Sequence, residues 1–301
     1  MTTIPPFFSI VIPTYNRSAL VVEAVESVLR QTFSAYEIIV VDDGSTDDTL
    51  SRLEEFNDNT RIKILTGMHD GAETSRNRGT IAAHGAYIVY LDSDDTLSPD
   101  ALAVYHGIIA RTSASLLIAK GTSSQVLLNR KSVEKDDKPF RYSLYKNYCS
   151  KACTVWLSTS FIVVKRDPLA TNAIRFQSGT FPVDDLDFLL RAGNLPVCCI
   201  IHTPATVYYR LHNENSVRDI PDNLSKLHVI MDLEKQGAYP GGRRCGIARK
   251  ALIGGHVQSW GRKALKAGLL KQAFYLFVRG MPAILALAVR KITGMAAKTG
   301  G

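Results

Sequence analysis

The chain has 301 residues, of which 46% are hydrophobic and 21% charged, a composition typical of a globular protein and not of a disordered one. That length can bury a large core and leaves room for one large domain with an appendage. Five cysteines without paired spacing argue against a zinc ribbon or a disulfide framework and favour a reducing cytoplasm. We expect neither a signal peptide nor a segment apolar enough to span a bilayer.

The net charge of +8 is unevenly distributed along the chain. No Asp or Glu follows Glu234, whereas 13 of the 36 Lys and Arg residues do, so residues 1–234 carry a net charge of −5. The chain therefore divides into two parts of opposite charge. Pro221, Pro240 and the glycines at 241 and 242 mark the junction between them. We predict one domain at residues 1–218 and a basic, mostly helical extension at residues 219–301.

The first part alternates strands and helices. Apolar runs rich in β-branched residues predict strands at residues 8–13, 37–41, 62–65 and 87–91. Helical periodicity predicts helices at residues 18–31 and 75–84. Strands joined through helices indicate an α/β fold with a mostly parallel sheet and helices on both of its faces.

Polar side chains follow three of these strands, at the edge where open α/β sheets bind ligands. The strands end in Pro13-Thr14-Tyr15-Asn16-Arg17, in Asp42-Asp43-Gly44-Ser45 and in Asp92-Ser93-Asp94-Asp95. Clustered carboxylates are the hard oxygen ligands that Mg²⁺ or Mn²⁺ accepts together with a diphosphate, and Arg17 and Arg76 offer further positive charge. Neither the glycine motif of dinucleotide enzymes nor a P-loop is present.

Five segments, in this order and spacing, resemble glycosyltransferase family 2: residues 9–17, 26–33, 37–47, 75–79 and 90–95. The resemblance is dense over about the first 100 residues and thins towards residue 216. It implies an inverting enzyme of the GT-A fold, a Rossmann-like mixed sheet flanked by helices. It also implies a nucleotide-diphosphate sugar as donor and Mn²⁺ or Mg²⁺ as cofactor.

The same resemblance assigns the donor site. Asp43 would accept a hydrogen bond from the base, Asp42 would shape its turn, and Asp94 would be the more direct metal ligand. Asp92 and His212 are the other two candidate metal ligands, and Asp92 would lie nearer the ribose. Residues implied in nucleotide binding are Pro13, Thr14, Asn16, Arg17, Asp42, Asp43, Arg76, Asp92 and Ser93. A capping or turn role is the alternative for each of them.

The acceptor side rests on residues 180–191, which resemble the family's base-bearing segment. Asp185 is the predicted general base, and the start of a helix favours its ionised form; N-capping is its alternative role. Asp184 stands where the family has Glu, which shortens the side chain that the resemblance implies for orienting the acceptor. Asp187 is expected to face solvent or to support the helix. Trp156 is either an acceptor-stacking residue or a core residue.

The basic extension predicts an amphipathic helix from Gly261 to Leu276, then apolar segments split by Arg279 and Gly280. Cations beside apolar faces fit either an anionic membrane surface or helices packed on protein. No nucleic-acid motif is present, so we expect no such partner.

The sequence thus predicts an inverting hexosyl- or N-acetylhexosaminyltransferase that acts in the cytoplasm. If the extension binds lipid, the enzyme would lie at the inner face of the cell membrane. Its donor would be a UDP-sugar in preference to a GDP-sugar, and its acceptor a lipid-linked or polysaccharide glycan of the cell envelope. Two alternatives are a non-catalytic nucleotide-sugar-binding protein and a sugar-1-phosphate nucleotidyltransferase, although the latter normally has a Gly-rich basic loop after its first strand. The sugar, linkage and oligomeric state stay open.

Overall fold

The computed structural model describes residues 5–123, 140–150, 157–171, 174–177, 185–211 and 219–292. The strands in these ranges are β1 Phe8–Thr14, β2 Tyr36–Asp42, β3 Ile62–Thr66, β4 Tyr87–Tyr90, β5 Thr96–Leu97, β6 Leu116–Ile118, β7 Gly121–Thr122, β8 Arg141–Tyr145, β9 Ile162–Lys165, β10 Cys198–Thr203 and β11 Val207–Tyr208. The helices are α1 Ser18–Leu29, α2 Thr49–Leu53, α3 Ala72–Ala82, α4 Ala101–Thr112, α5 Arg166–Thr171, α6 Asp185–Arg191, α7 Ile220–Gln236, α8 Gly242–Lys266 and α9 Leu270–Ile292.

Eight strands form the central sheet, in the order β3-β2-β1-β4-β9-β6-β10-β8. The strands β3, β2, β1 and β4 run parallel, whereas β9 is antiparallel to both β4 and β6. A second sheet of three short strands has the order β5-β11-β7. The sheet is therefore mixed, and the predicted α/β architecture with flanking helices is confirmed.

The parallel strands β1, β2 and β4 carry almost continuous buried apolar residues because helices cover both faces of the sheet. Gly79 of α3 allows close packing on that sheet: a Cβ at this position would lie 2.4 Å from a methyl carbon of Val11. The glycine thus brings α3, and with it Arg76, close to the carboxyl edge of β1.

The helix predicted from Gly261 to Leu276 is wrong in its bounds. The chain breaks into α8 and α9 between Lys266 and Leu270, where Gly268 adopts a φ of +77°. A left-handed glycine is a common helix terminator because it has no Cβ to clash. The apolar segments on either side of Arg279 and Gly280 belong to one continuous helix, α9.

The helices α8 and α9 pack closely through small residues, and an ion pair joins α8 to α7. A Cβ on Gly254 of α8 would lie 2.2 Å from the carbonyl oxygen of Ala283, and one on Gly280 of α9 would lie 2.6 Å from Val257. Arg249 of α8 donates to Glu234 of α7 across 2.6 Å in a buried ion pair. The helical content agrees with the predicted extension, and its start at residue 219 stays a prediction.

By length and composition, α9 could cross a membrane. An 18-residue stretch of α9 has a mean hydropathy of 1.5, and 28% of that stretch is buried in the structure. The expectation that no segment reaches this threshold is therefore wrong. Core helices of globular proteins can be as long and as apolar as α9, and one side of α9 packs on α8.

Candidate functional site

The loops after β1 and β2 are joined by Asn16. Its side-chain oxygen accepts from the backbone N–H of Thr46 at 2.8 Å, and the backbone N–H of Asn16 donates to the hydroxyl of Ser45 at 2.9 Å. Asn16 has a φ of 50°, a conformation that Asn tolerates better than most residues. In this structure its side chain shapes the two loops that the sequence predicts to contact the nucleotide.

Asp42 holds the turn after β2. Its carboxylate accepts from the N–H groups of Gly44 and Ser45 at 3.1 and 3.0 Å, and from the Ser45 hydroxyl. Gly44 has a φ of +80°, which the turn requires. Asp42 thus holds this turn in shape, and its contact with a nucleotide stays a prediction.

Asp43 is buried and is bound by the loop before α3. Its oxygens accept from the N–H groups of Asp70 and Gly71 at 3.1 and 2.8 Å and from the hydroxyl of Ser75 at 3.2 Å. His69 lies 3.3 Å from the same carboxylate. The predicted hydrogen bond between Asp43 and a base stays a prediction, because donors of the protein itself bind the Asp43 carboxylate in this structure.

Tyr15 and His69 stack on each other beside Asp43, with ring centroids 4.0 Å apart and an interplanar angle of 28°. Both rings are well exposed. Flat aromatic faces of this kind can take up another planar ring. Sequence analysis left Tyr15 out of the site; its place between Thr14 and Asn16, at the end of β1, was the signal that could have found it.

Three carboxylates gather after β4. Asp92, Asp94 and Asp95 each offer an oxygen, and these oxygens lie within 4.8 Å of one another. Arg76 of α3 donates to Asp92 at 2.6 Å, and Arg17 lies 2.7 Å from Asp94. The structure thus unites the predicted acids with both predicted arginines at the carboxyl edge of β1 and β4.

Asp95 is the most buried of the three, at 1% exposure. It accepts from the Ser160 hydroxyl at 2.6 Å and from the backbone N–H of Arg210 at 3.1 Å. Burial, and then the negative charges of Asp92 and Asp94, raise the pKa of Asp95 well above its usual range. Ser160 and Arg210 were missed by sequence reasoning, because no local pattern links them to Asp95.

The chemistry of this donor set fits a divalent cation. All three candidate ligands are carboxylate oxygens, which Mg²⁺ and Mn²⁺ prefer. The mutual repulsion that raises the pKa of Asp95 is also the interaction that a cation would relieve. Asp92 and Asp94 are more accessible to such an ion than Asp95, which is held by Ser160 and Arg210.

Asp185 is the first residue of α6 and is partly buried. Tyr209 connects it with the acidic cluster: burial raises the pKa of Tyr209, and the charges of Asp95, Asp94, Asp92 and Asp185 raise it further. The predicted base and the predicted carboxylate ligands of the metal are therefore all close enough to Tyr209 to shift its pKa, and so they lie in the same region of the molecule.

Aromatic packing fixes α6 relative to α3. Phe188 of α6 stacks on Phe176 with centroids 4.3 Å apart, and Arg76 lies 5.3 Å from the Phe176 ring. Asn77 holds the backbone of Phe176 at both its N–H and its carbonyl, at 3.0 and 2.8 Å. The helix that carries Asp185 is thus packed, through Phe176, on the helix that carries Arg76.

Asp187 is fully buried, so of its two expected roles the supporting one fits and the solvent-facing one does not. It accepts from Arg191 at 2.7 Å and from the hydroxyl of Tyr239, which lies between α7 and α8, at 2.8 Å. A buried carboxylate needs such partners. The helical extension therefore supports α6 directly.

The remaining predicted residues divide into two groups. Pro13 pairs with Val41 inside the sheet, Ser93 is buried, and the buried Thr14 hydroxyl has no hydrogen-bond partner within the described part of the chain. Three others lie outside the described residues: Trp156, Asp184 and His212.

Comparison with known proteins places the chain in a family. Residues 9–159 match the sequence model of glycosyl transferase family 2. Chondroitin synthase of Escherichia coli is 43% identical over 98 residues, which cover 32% of this chain and 14% of the relative. UDP-Glc:alpha-D-GlcNAc-diphosphoundecaprenol beta-1,3-glucosyltransferase WfgD, also from Escherichia coli, is 36% identical over 110 residues, covering 36% of this chain and 43% of the relative. The matches thus span less than half the length of either relative.

Solved structures extend the likeness to nearly the whole chain. The crystal structure of S. aureus TarS 1–349 in complex with UDP-GlcNAc has a TM-score of 0.69 at 18% identity, covering 96% of this chain and 88% of that one. The mannosyltransferase PcManGT from Pyrobaculum calidifontis, in complex with GDP-Man and Mn²⁺, has a TM-score of 0.55 at 16% identity with the same coverage. These likenesses confirm the fold class. With the family match over half of its residues, the chain belongs to glycosyl transferase family 2, a family of transferase enzymes, as the sequence resemblance indicated.

Proposed function

We propose that the protein is an inverting glycosyltransferase that moves a sugar from a UDP-sugar to a hydroxyl of a lipid-linked or polysaccharide acceptor in cell-envelope glycan synthesis. The observation that carries this proposal is the cluster of Asp92, Asp94 and Asp95, paired with Arg17 and Arg76 at one edge of the sheet. A site of alternating acids and arginines suits a diphosphate bound with a cation.

Each side of that cluster has a task in donor binding. Asp92 and Asp94 would hold Mn²⁺ or Mg²⁺, and the bound ion would offset negative charge on the departing diphosphate. Arg17 and Arg76 already lie at 2.7 and 2.6 Å from these two acids, so their guanidinium groups are placed to donate to phosphate oxygens as well. Tyr15 and His69 offer exposed ring faces for the base.

Asp185 would supply the general base. Its position in the first turn of α6 favours the carboxylate form, since the helix dipole is positive there. The carboxylate would take the proton of the acceptor hydroxyl as that oxygen bonds to the anomeric carbon. The bond from that carbon to the diphosphate breaks in the same step, and its electron pair leaves with the diphosphate. One displacement inverts the configuration and needs no covalent sugar–enzyme species.

The preference for UDP, the acceptor class and the cytoplasmic location are supported by relatives and by composition. WfgD is named for UDP-Glc and for an acceptor linked to diphosphoundecaprenol, and TarS was crystallised with UDP-GlcNAc. PcManGT was crystallised with GDP-Man, so the fold itself accommodates either base. Five cysteines without paired spacing agree with a reducing compartment.

Calorimetric titration tests the donor site. Purified protein is titrated with UDP and with GDP, each in the presence of Mn²⁺ and in the presence of chelator. We expect Mn²⁺-dependent UDP binding that Asp94→Ala abolishes and that Asp58→Ala, an exposed acid outside the cluster, leaves unchanged. A preference for GDP would redirect the donor assignment. Binding of neither nucleotide would refute the proposed function.

A further inference from the structure

Large apolar side chains are exposed chiefly on one helix. Fourteen such side chains are exposed among the described residues, and eight of them belong to α9. Phe274, Leu270 and Ile292 are among the most exposed, at 71, 63 and 85%. An exposed apolar face of this length on a protein surface marks a site of interaction.

Seven of these eight side chains form a continuous stripe, here called the α9 stripe. Its members recur at intervals of three and four residues, which places them on one side of a helix. They are Leu270, Phe274, Val278, Met281, Leu285, Val289 and Ile292. With 23 residues, α9 extends the stripe over about 35 Å at 1.5 Å per residue.

The opposite side of α9 is already packed. Ala273, Leu276, Gly280, Ala283 and Leu287 are buried, and the contacts of Gly254 with Ala283 and of Val257 with Gly280 hold this side against α8. Arg279 of α9 also pairs with Asp232 of α7. One side of α9 therefore contacts protein through its small residues together with Leu276 and Leu287, whereas the large apolar residues of the stripe face outward.

Exposed cations surround the start of the stripe. Arg262, Lys263, Lys266 and Lys271 are all exposed around the turn between α8 and α9, beside the exposed Leu265, Leu270 and Phe274. No acid follows Glu234 in the sequence, so no carboxylate on α8 or α9 neutralises this charge. Apolar side chains flanked by unopposed cations match the interface of an anionic bilayer.

We propose that the α9 stripe lies in the surface of an anionic membrane, with the cationic turn against lipid phosphates and α8 on the side away from the lipid. A second copy of the chain fits the stripe less well, because pairing two such helices would bring cations together without any acid to offset them. A membrane-spanning position fits less well too, because it would take α9 away from its glycine-mediated contacts with α8.

Vesicle sedimentation with the full chain tests this surface. Vesicles of phosphatidylcholine alone are compared with vesicles that contain phosphatidylglycerol. We expect binding to the anionic vesicles that weakens with salt. Phe274→Glu should lower the partition coefficient roughly tenfold or more. Ile81→Glu is the matched control, because Ile81 on α3 has a similar exposure of 68% against 71% for Phe274.

The charge contribution has its own pair of variants. Lys271→Glu should lower binding to anionic vesicles roughly fivefold or more, since each cation near such a surface contributes. Arg52→Glu, an exposed cation on α2, should not change it. Circular dichroism of every variant checks that the fold is retained.

The proposal would be overturned if the protein did not bind anionic vesicles, or if Phe274→Glu bound them as well as the wild type does. It would also be overturned by a dimer in light scattering that Phe274→Glu dissociates, without vesicle binding. Cellular protein that stays in the membrane after alkaline carbonate extraction would overturn it too, because α9 would then span the bilayer. Vesicle binding needs neither donor nor acceptor. Its failure would leave the proposed glycosyl transfer standing, and failure of nucleotide binding would leave this surface standing.

Discussion

Charged side chains are paired at the carboxyl edge of the sheet, whereas in the helical extension most of them are exposed. At the edge of the sheet, Asp92 and Asp94 each lie within 3 Å of an arginine, and Asp95 is buried among hydrogen-bond donors. On α8 and α9 most cations are exposed, and no acid of those helices faces them. Acids that are paired with arginines hold their side chains in a defined geometry, which suits a small ligand. Exposed cations without such partners can instead attract an extended anionic surface.

The two regions are nevertheless joined. Asp232 and Glu234, the last acids of the chain, are paired with Arg279 and Arg249 inside the extension. Tyr239 reaches from the extension to Asp187 of α6, two residues after the predicted base. The extension is thus built to expose cations on its outside while its inside supports the helix that begins with Asp185.

The largest expected effect is on the catalytic side of this comparison. Asp185→Asn removes the proposed proton acceptor but keeps the shape of the side chain, so we expect transfer to fall by about 10²–10⁴-fold while donor affinity changes little. Radiolabelled sugar transfer and nucleotide titration measure the two quantities. Asp167→Asn, an exposed acid on α5, is the control. Unchanged transfer by Asp185→Asn would remove Asp185 from the mechanism, and a protein without any transfer activity would favour the non-catalytic alternative.

The next effect is on the stability of the extension. Arg249→Met leaves Glu234 buried without its partner, and we expect a loss of about 3–5 kcal/mol in the free energy of unfolding. Urea denaturation followed by circular dichroism measures it. The double variant Arg249→Met/Glu234→Leu should regain most of that stability because it buries no unpaired charge. Arg243→Met, at an exposed position of α8, should have almost no effect.

The contact between the two regions gives a smaller effect. Tyr239→Phe removes one donor from the buried carboxylate of Asp187, which costs about 1.5–3 kcal/mol for a hydrogen bond to a charged group. Burial and the charge of Asp187 raise the pKa of Tyr239, so its hydroxyl remains a donor throughout the neutral range. If the extension positions α6, kcat should fall with little change in donor affinity. Lower stability with an unchanged kcat would restrict Tyr239 to a structural role.

Much of the sheet edge was predictable because its signals are local. The strands end in polar runs within a few residues, and parallel strands necessarily bring those runs together. The arginine partners of Asp92 and Asp94 were also within the predicted motifs. The burial of Asp95 was not predictable, since its partners Ser160 and Arg210 lie 65 and 115 residues away in the sequence.

The extension was harder to predict because its apolar periodicity is compatible with more than one set of helix bounds. Apolar periodicity continues across residues 261–276, although the helix ends at Lys266 and Gly268 adopts a left-handed conformation. Composition revealed the cations, but which side of α9 is exposed depends on its glycine contacts with α8. Asp187 illustrates the same limit: an acid that reads as a surface residue becomes buried once Tyr239 and Arg191 supply its partners.

The smallest expected effect is a pH dependence inside the extension. His228 of α7 lies 5.0 Å from the ring of Tyr275 on α9. Burial and then the positive charge of Arg279 lower the pKa of His228, while Asp232 opposes the shift. Because the unfolded chain then binds the proton first as pH falls below about 6.5, this histidine stabilises the fold above that pH and the contribution is lost on acidification. Urea midpoints at pH 7.5 and 5.5 should therefore differ more for the wild type than for His228→Gln. An equal difference in both proteins would mean that His228 keeps its ordinary pKa, and that the contact between α7 and α9 tolerates a second cation beside Arg279.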